Sequence, residues 1–227
     1  MKQLKQWKWA DAKSALIMML LGALFLEIVV TKTVILIRPD MDPWRNASEI
    51  NKVYMGALAI LVILFWLKTP LVIRWAALKI PSPRKFAREM LQAACVSLIL
   101  LLAMIGIRLW MNAHDPDAAA RPWFGLYLYI HGRWFYLFSV ILQEIMVKAI
   151  IQENIRLVNA TGNRHVTVIL TGLFFAVLHM NFQLYYLIGA GLLCMLTGYL
   201  YERDGNIWGS VLIHLTLGFM PRALGLY

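Results

Sequence analysis

Long apolar runs recur along the whole chain, at Ser14–Ile37, Val53–Leu67, Glu89–Met111, Phe124–Gln152, Val166–Met180, Phe182–Tyr201 and Ile207–Met220. A bilayer hydrocarbon core about 30 Å thick is crossed by roughly 20 predominantly apolar residues in a helix. Inside lipid every backbone polar group must be satisfied within the protein, and a helix does this by its own hydrogen bonds. The expected fold is therefore all-α, a polytopic membrane helical bundle of about seven transmembrane helices. With 61% hydrophobic and 15% charged residues, the 227-residue chain is too apolar for a soluble domain.

The net charge of +10 would suggest nucleic acid in a soluble protein. Here the basic residues collect between the apolar runs, where they meet anionic lipid headgroups, and no nucleic-acid partner is expected. Lys2, Lys5, Lys8 and Lys13 interleave with Trp7 and Trp9 in a basic, amphipathic N-terminus, residues 1–13. Lys68–Arg88 carries Lys68, Arg74, Lys79, Arg84, Lys85 and Arg88, the strongest cytoplasmic signal in the chain. The acidic, turn-rich loop 38–52 and the loop 112–123 fall outside by the same rule, and 153–165 and 202–206 inside. The first apolar run exceeds a signal-peptide core and is expected to be retained, with Glu27 and Lys32 turning its outer part towards protein. Cys95 and Cys194 lie within apolar runs and read as packing residues rather than a disulfide or metal pair. Gly191, Cys194 and Gly198 share one small-residue helix face suited to close packing.

Three polar islands interrupt the last apolar runs: Gln143-Glu144-Ile145-Met146-Val147-Lys148, Phe175 to His179, and His214 to Gly218. Ionisable residues at membrane depth are expensive and mark either function or mutual pairing. Glu144 and Lys148 stand four apart, one helical face, and are expected to pair, which alone would serve as a structural clamp. Gln143 lies about 100° around the helix from Glu144, so the two reach one target only if the helix is distorted. His179 and His214 sit on separate segments, and each alone could be a helix-bridging hydrogen-bonder. A zinc site is conceivable, but the His-Glu-x-x-His spacing is absent, so no cofactor is expected. A carboxylate that activates water, with imidazoles positioning it and stabilising a developing oxyanion, is the favoured chemistry.

The islands resemble the signature of the CAAX-protease and bacteriocin-processing (CPBP/Abi) intramembrane proteases: Glu-Glu-x-x-x-Arg, Phe-x-x-x-His and His-x-x-x-Asn. The resemblance extends through Gly198-Tyr-Leu-Tyr-Glu-Arg-Asp-Gly-Asn-Ile-Trp-Gly-Ser-Val-Leu-Ile-His214 and covers residues 134–220. It implies a CAAX-protease-like core at 124–227, preceded by N-terminal transmembrane helices at 14–123 and the basic segment 1–13. By register Gln143 stands where the family has its water-activating Glu, Glu144 where it has the second Glu, and Lys148 where it has Arg. His179 and His214 match the two histidines, and Gly218 replaces the Asn that helps hold the oxyanion, a contribution Asn181 could replace. A neutral amide takes no proton from water. The implied function is a glutamic-type intramembrane endopeptidase, with Glu144, His179 and His214 as its catalytic residues. It would act on a membrane-embedded or membrane-anchored protein or peptide in the bacterial inner membrane. The alternative is a catalytically inactive member that binds such a partner in an immunity, assembly or chaperone role.

The charge distribution makes the topology testable. With the N-terminus cytoplasmic, a cysteine introduced at Ala47 should react with an impermeant thiol reagent from the periplasmic side, and one at Ser82 should not. The opposite labelling pattern would overturn this map.

Overall fold

The computed structural model describes residues 11–38, 47–121, 134–180 and 184–226, and among these no strand occurs. The helices are α1 (Ala12–Ile37), α2 (Ala47–Lys68), α3 (Pro83–His114), α4 (Pro116–Ala120), α5 (Trp134–Glu144), α6 (Glu153–Val158), α7 (Arg164–Val177), α8 (Leu184–Asp204) and α9 (Trp208–Ala223). A π-helical segment, Ile145–Gln152, joins α5 to α6. The fold is all-α and of the membrane-bundle class. Helices α1, α3 and α8 are long and apolar enough to cross a membrane, and α7 and α9 are shorter apolar helices. Residues 1–10, the aromatic stretch Phe124–Arg133 and Asn181 lie outside the described residues.

Local chemistry explains where the boundaries depart from expectation. Asp11 caps α1, its carboxylate accepting from the backbone N–H groups of Lys13 and Ser14. Helix α3 starts at Pro83 rather than Glu89, because a proline with Ser82 before it is preorganised for a first helical turn. The basic residues Arg84, Lys85 and Arg88 are therefore helical rather than part of a loop. Glu153 likewise opens α6 instead of a turn. The described residues group into two compact units, Met1–Trp75 with Ile145–Glu202, and Ala76–Glu144 with Arg203–Tyr227.

In the first unit α1 and α2 pack through Leu16, Met19 and Ala23 against Tyr54, Leu58 and Val62, and Met146, Ile150 and Ile151 of the π segment join that core. Glu27 is 2% exposed, facing protein as expected, whereas Lys32, expected to do the same, is exposed, as are Leu36 and Ile37 at the end of the helix. Leu21 and Phe25, 60% and 68% exposed, form a lipid-compatible face on the same helix. The small-residue stripe of α8 packs as its sequence implies. A Cβ on Gly191 would lie 3.0 Å from the Ala176 Cβ of α7, and one on Gly198 would lie 3.1 Å from Gln152 Oε1. Cys194 is buried in this contact, whereas Cys95, expected to pack, is exposed on α3.

Glu153 anchors the end of the π segment. Its carboxylate accepts from Arg74 Nη1 at 2.7 Å, from Tyr201 Oη at 2.7 Å and from the Arg156 guanidinium. Burial pushes this carboxyl up, but those donors outweigh it and hold the group below its ordinary value. Next to it, buried Asn154 clamps an extended segment, accepting from Val72 N at 3.0 Å and donating to Val72 O at 2.9 Å.

In the second unit α9 is held against α3. Asn206 donates to Glu89 Oε2 at 2.9 Å, and Ile207 N donates to Ala77 O at 3.1 Å. Gly205, at φ 74°, makes the turn from α8 into α9, in a region few L side chains adopt. At the other end Arg108, wholly buried, donates to the carbonyls of Gly225 and Arg121, both at 2.8 Å. These contacts fix the axial position of α9 and so the depth of His214.

Candidate active site

Helix α5 places Tyr136, Val140, Gln143 and Glu144 along one inward side, and Val140, Gln143 and Glu144 are all buried. Helix α9 presents His214, buried at 7% exposure, from the same unit. The Glu144 Oε1 to His214 Nδ1 distance is 2.7 Å, a short, charge-assisted contact. With the carboxylate ionised, Nδ1 carries the proton and donates it to Oε1. The second oxygen, Oε2, is buried and has no hydrogen-bond partner among the described residues. A buried carboxylate oxygen left this way is unusual and can accept from a water.

The expected Glu144–Lys148 pair does not form. The Lys148 ammonium, 0% exposed, donates to Cys194 O at 2.8 Å and lies 3.3 Å from Cys194 Sγ. The reason is local. The backbone leaves α-helical hydrogen bonding at Ile145, directly after Glu144, so the four-residue spacing no longer stacks the two side chains as in an α-helix. One turn further on, Gln152 Nε2 donates to Gly198 O at 3.2 Å and to Glu202 Oε1 at 2.8 Å. Lys148 and Gln152 thus form a polar ladder onto the small-residue stripe of α8, where a larger side chain at Gly198 would block the approach.

Gln143 turns back along its own helix, its Nε2 donating to Ser139 Oγ at 2.9 Å. His179 belongs to the other unit, in the turn that follows α7. Its Nδ1 donates to Phe175 O at 2.9 Å, and the two rings lie 4.6 Å apart. The proton on Nδ1 leaves Nε2 of a neutral ring as the acceptor nitrogen. Gly218 is exposed, one turn beyond His214. The structure therefore brings together Glu144 and His214 of the sequence-derived set, and gives Lys148 and Gln143 other partners. Among the described residues no group of three or more His, Cys, Asp and Glu side chains gathers in metal-binding fashion.

Within each unit, residues that the sequence did not mark hold these side chains. Ser139 holds Gln143, Gln152 extends the Lys148 ladder, and Tyr136 donates to His214 O at 3.4 Å. A tyrosine in an aromatic-rich stretch gives little signal, but a glycine inside an apolar helix, as at position 218, marks a close approach by some neighbour.

Residues 123–220 match the model of a family described as type II CAAX prenyl endopeptidase, Rce1-like. Over this stretch the chain is similar to the Rce1-like family. The match runs through all three polar islands and both helices of the buried pair. No curated protein and no solved structure matches the chain. The similarity and the apolar helices indicate an integral membrane protein, similar over these residues to CAAX-type intramembrane proteases and related proteins.

The exchanged partners predict a pattern of energetic coupling. In unfolding measurements in detergent, Glu144→Gln and His214→Ala should be non-additive by about 0.5–3 kcal/mol, while Glu144→Gln and Lys148→Met should add within about 0.5 kcal/mol. Strong coupling between positions 144 and 148 instead would restore the ion pair that the sequence suggested.

Proposed function

We propose that the chain is a glutamic-type intramembrane endopeptidase that hydrolyses a peptide bond of a membrane-embedded or membrane-anchored protein. The observation that carries this reading is the buried Glu144 carboxylate, with Oε1 held by His214 and Oε2 without a protein partner among the described residues. An ionised Glu144 takes a proton from water at Oε2, and the resulting hydroxide oxygen bonds to the scissile carbonyl carbon. The carbonyl electrons move onto oxygen, and collapse of that adduct breaks the C–N bond. The proton held by Glu144 passes to the leaving nitrogen, so the carboxylate is regenerated. His214 keeps the carboxylate oriented by its Nδ1–H, and His179 is the further imidazole assigned by its motif. Glu144 acts as base in place of the amide at position 143, which cannot. A family of prenyl endopeptidases suggests a substrate held at the membrane by a lipid anchor or an apolar segment.

Gln143 supports a second reading. Its neutral amide occupies the place of the family's first carboxylate and is closed on Ser139. A binding protein that had lost hydrolysis would tolerate that change.

Cleavage of lipid-anchored and transmembrane peptides by the purified protein separates the two. Wild type should turn over, Glu144→Gln and His214→Ala should each lose about 10²–10⁴-fold, and Gln143→Glu should change little. Turnover absent in wild type but gained in Gln143→Glu would establish the binding reading. Turnover that survives Glu144→Gln would contradict Glu144 as base.

A further inference from the structure

Hydrolysis by the Glu144–His214 pair generates negative charge on the former carbonyl oxygen, and a preorganised donor aimed at that charge is commonly the largest single catalytic contribution. Helix α9 offers no side chain for this beyond His214 on its next turn, because position 218 is glycine. The neighbourhood of that glycine is nevertheless filled. A Cβ built on Gly218 would lie 1.6 Å from the Tyr136 hydroxyl and 2.8 Å from its Cζ. Both atoms belong to a rigid phenol, so no residue with a side chain fits at 218 while Tyr136 keeps its place.

The same hydroxyl donates to His214 O at 3.4 Å. That carbonyl is also in position to accept the helix's own bond from the residue four further on, which is Gly218. At 3.4 Å the contact is longer than the usual O–H···O distance of about 2.7–2.8 Å. Tyr136 thus reaches from α5 across the turn of α9 that carries His214, and α5 also carries Glu144. A phenol, with an ordinary pKa of about 10, is neutral at physiological pH and donates a hydrogen bond.

We propose that the Tyr136 hydroxyl is the oxyanion donor beside the Glu144–His214 pair, occupying the space that a side chain at position 218 would fill. This rests on the hydrolase reading. The acceptor is the tetrahedral adduct of a peptide carbonyl, and no proton leaves the phenol. Tyr136 accounts for the glycine at 218: glycine inside a helix costs about 1 kcal/mol relative to alanine, and here alanine has no room.

Two measurements test the proposal on the full chain in detergent. In the first, thermal unfolding is compared for wild type, Gly218→Ala, Tyr136→Ala and the double variant. Gly218→Ala should lower the midpoint in wild type and fail to lower it when position 136 is alanine. An equal loss in both backgrounds would show that Tyr136 does not hold the space, and would overturn the proposal. In the second, Tyr136→Phe keeps the ring and removes the donor. With the unfolding midpoint near that of wild type, kcat for peptide cleavage should fall about 10²–10³-fold with little change in KM. Wild-type turnover left unchanged by Tyr136→Phe would overturn the donor role while leaving the hydrolase reading intact. Absence of turnover in wild type would overturn the hydrolase reading, and the donor role with it.

Discussion

The contact on which the site depends is the 2.7 Å bond between Glu144 and His214, buried in a helical membrane protein. A carboxylate removed from water is costly unless a hydrogen-bonded partner compensates. The imidazole does this for one oxygen, and the other has no hydrogen-bond partner among the described residues. The partner has to be held at a fixed depth, and the second unit is built to hold it. Asn206 on Glu89, Ile207 on Ala77 and Arg108 on the Gly225 carbonyl tie both ends of the segment containing α9. A shift of α9 by one residue would rotate His214 by about 100° and break the pair.

Lys148 meets the same constraint by a different route. A fully buried ammonium needs acceptors, and the nearest available ones are backbone rather than carboxylate. Glycine and cysteine along α8 let the π segment come close enough for a helix carbonyl to accept from Lys148, and for another to accept from Gln152. The π-helical geometry is what separates the two charged residues of the first island. Such segments are frequent at functional sites because they re-aim side chains without ending the helix.

Much of this was readable from residue order. Apolar runs of lipid length account for α1, α3 and α8, and the small-residue spacing of Gly191, Cys194 and Gly198 correctly implied close packing. The polar islands contain both members of the buried pair. The partner of Glu144 was legible only as a candidate, because α-helical periodicity makes Lys148 its neighbour and says nothing of a residue 70 positions away. The onset of π geometry at Ile145 leaves no mark in a periodicity argument. Tyr136 escaped notice for a related reason. Its role arises from a packing contact with a glycine on another helix, and the glycine looked like a missing group rather than an occupied space. Exposure of Cys95 is similar: an apolar run in lipid has an outward face as apolar as its inward one.

The central claim, that Glu144 holds the His214 ring through Nδ1, can be read directly by ¹⁵N NMR of the histidine side chains in detergent micelles. With Glu144 present, His214 should carry its proton on Nδ1, with that proton shifted far downfield by the short bond to a carboxylate, and the signal should vanish in Glu144→Ala. A His214 ring protonated at Nε2 alone, or a spectrum unchanged by Glu144→Ala, would contradict the account.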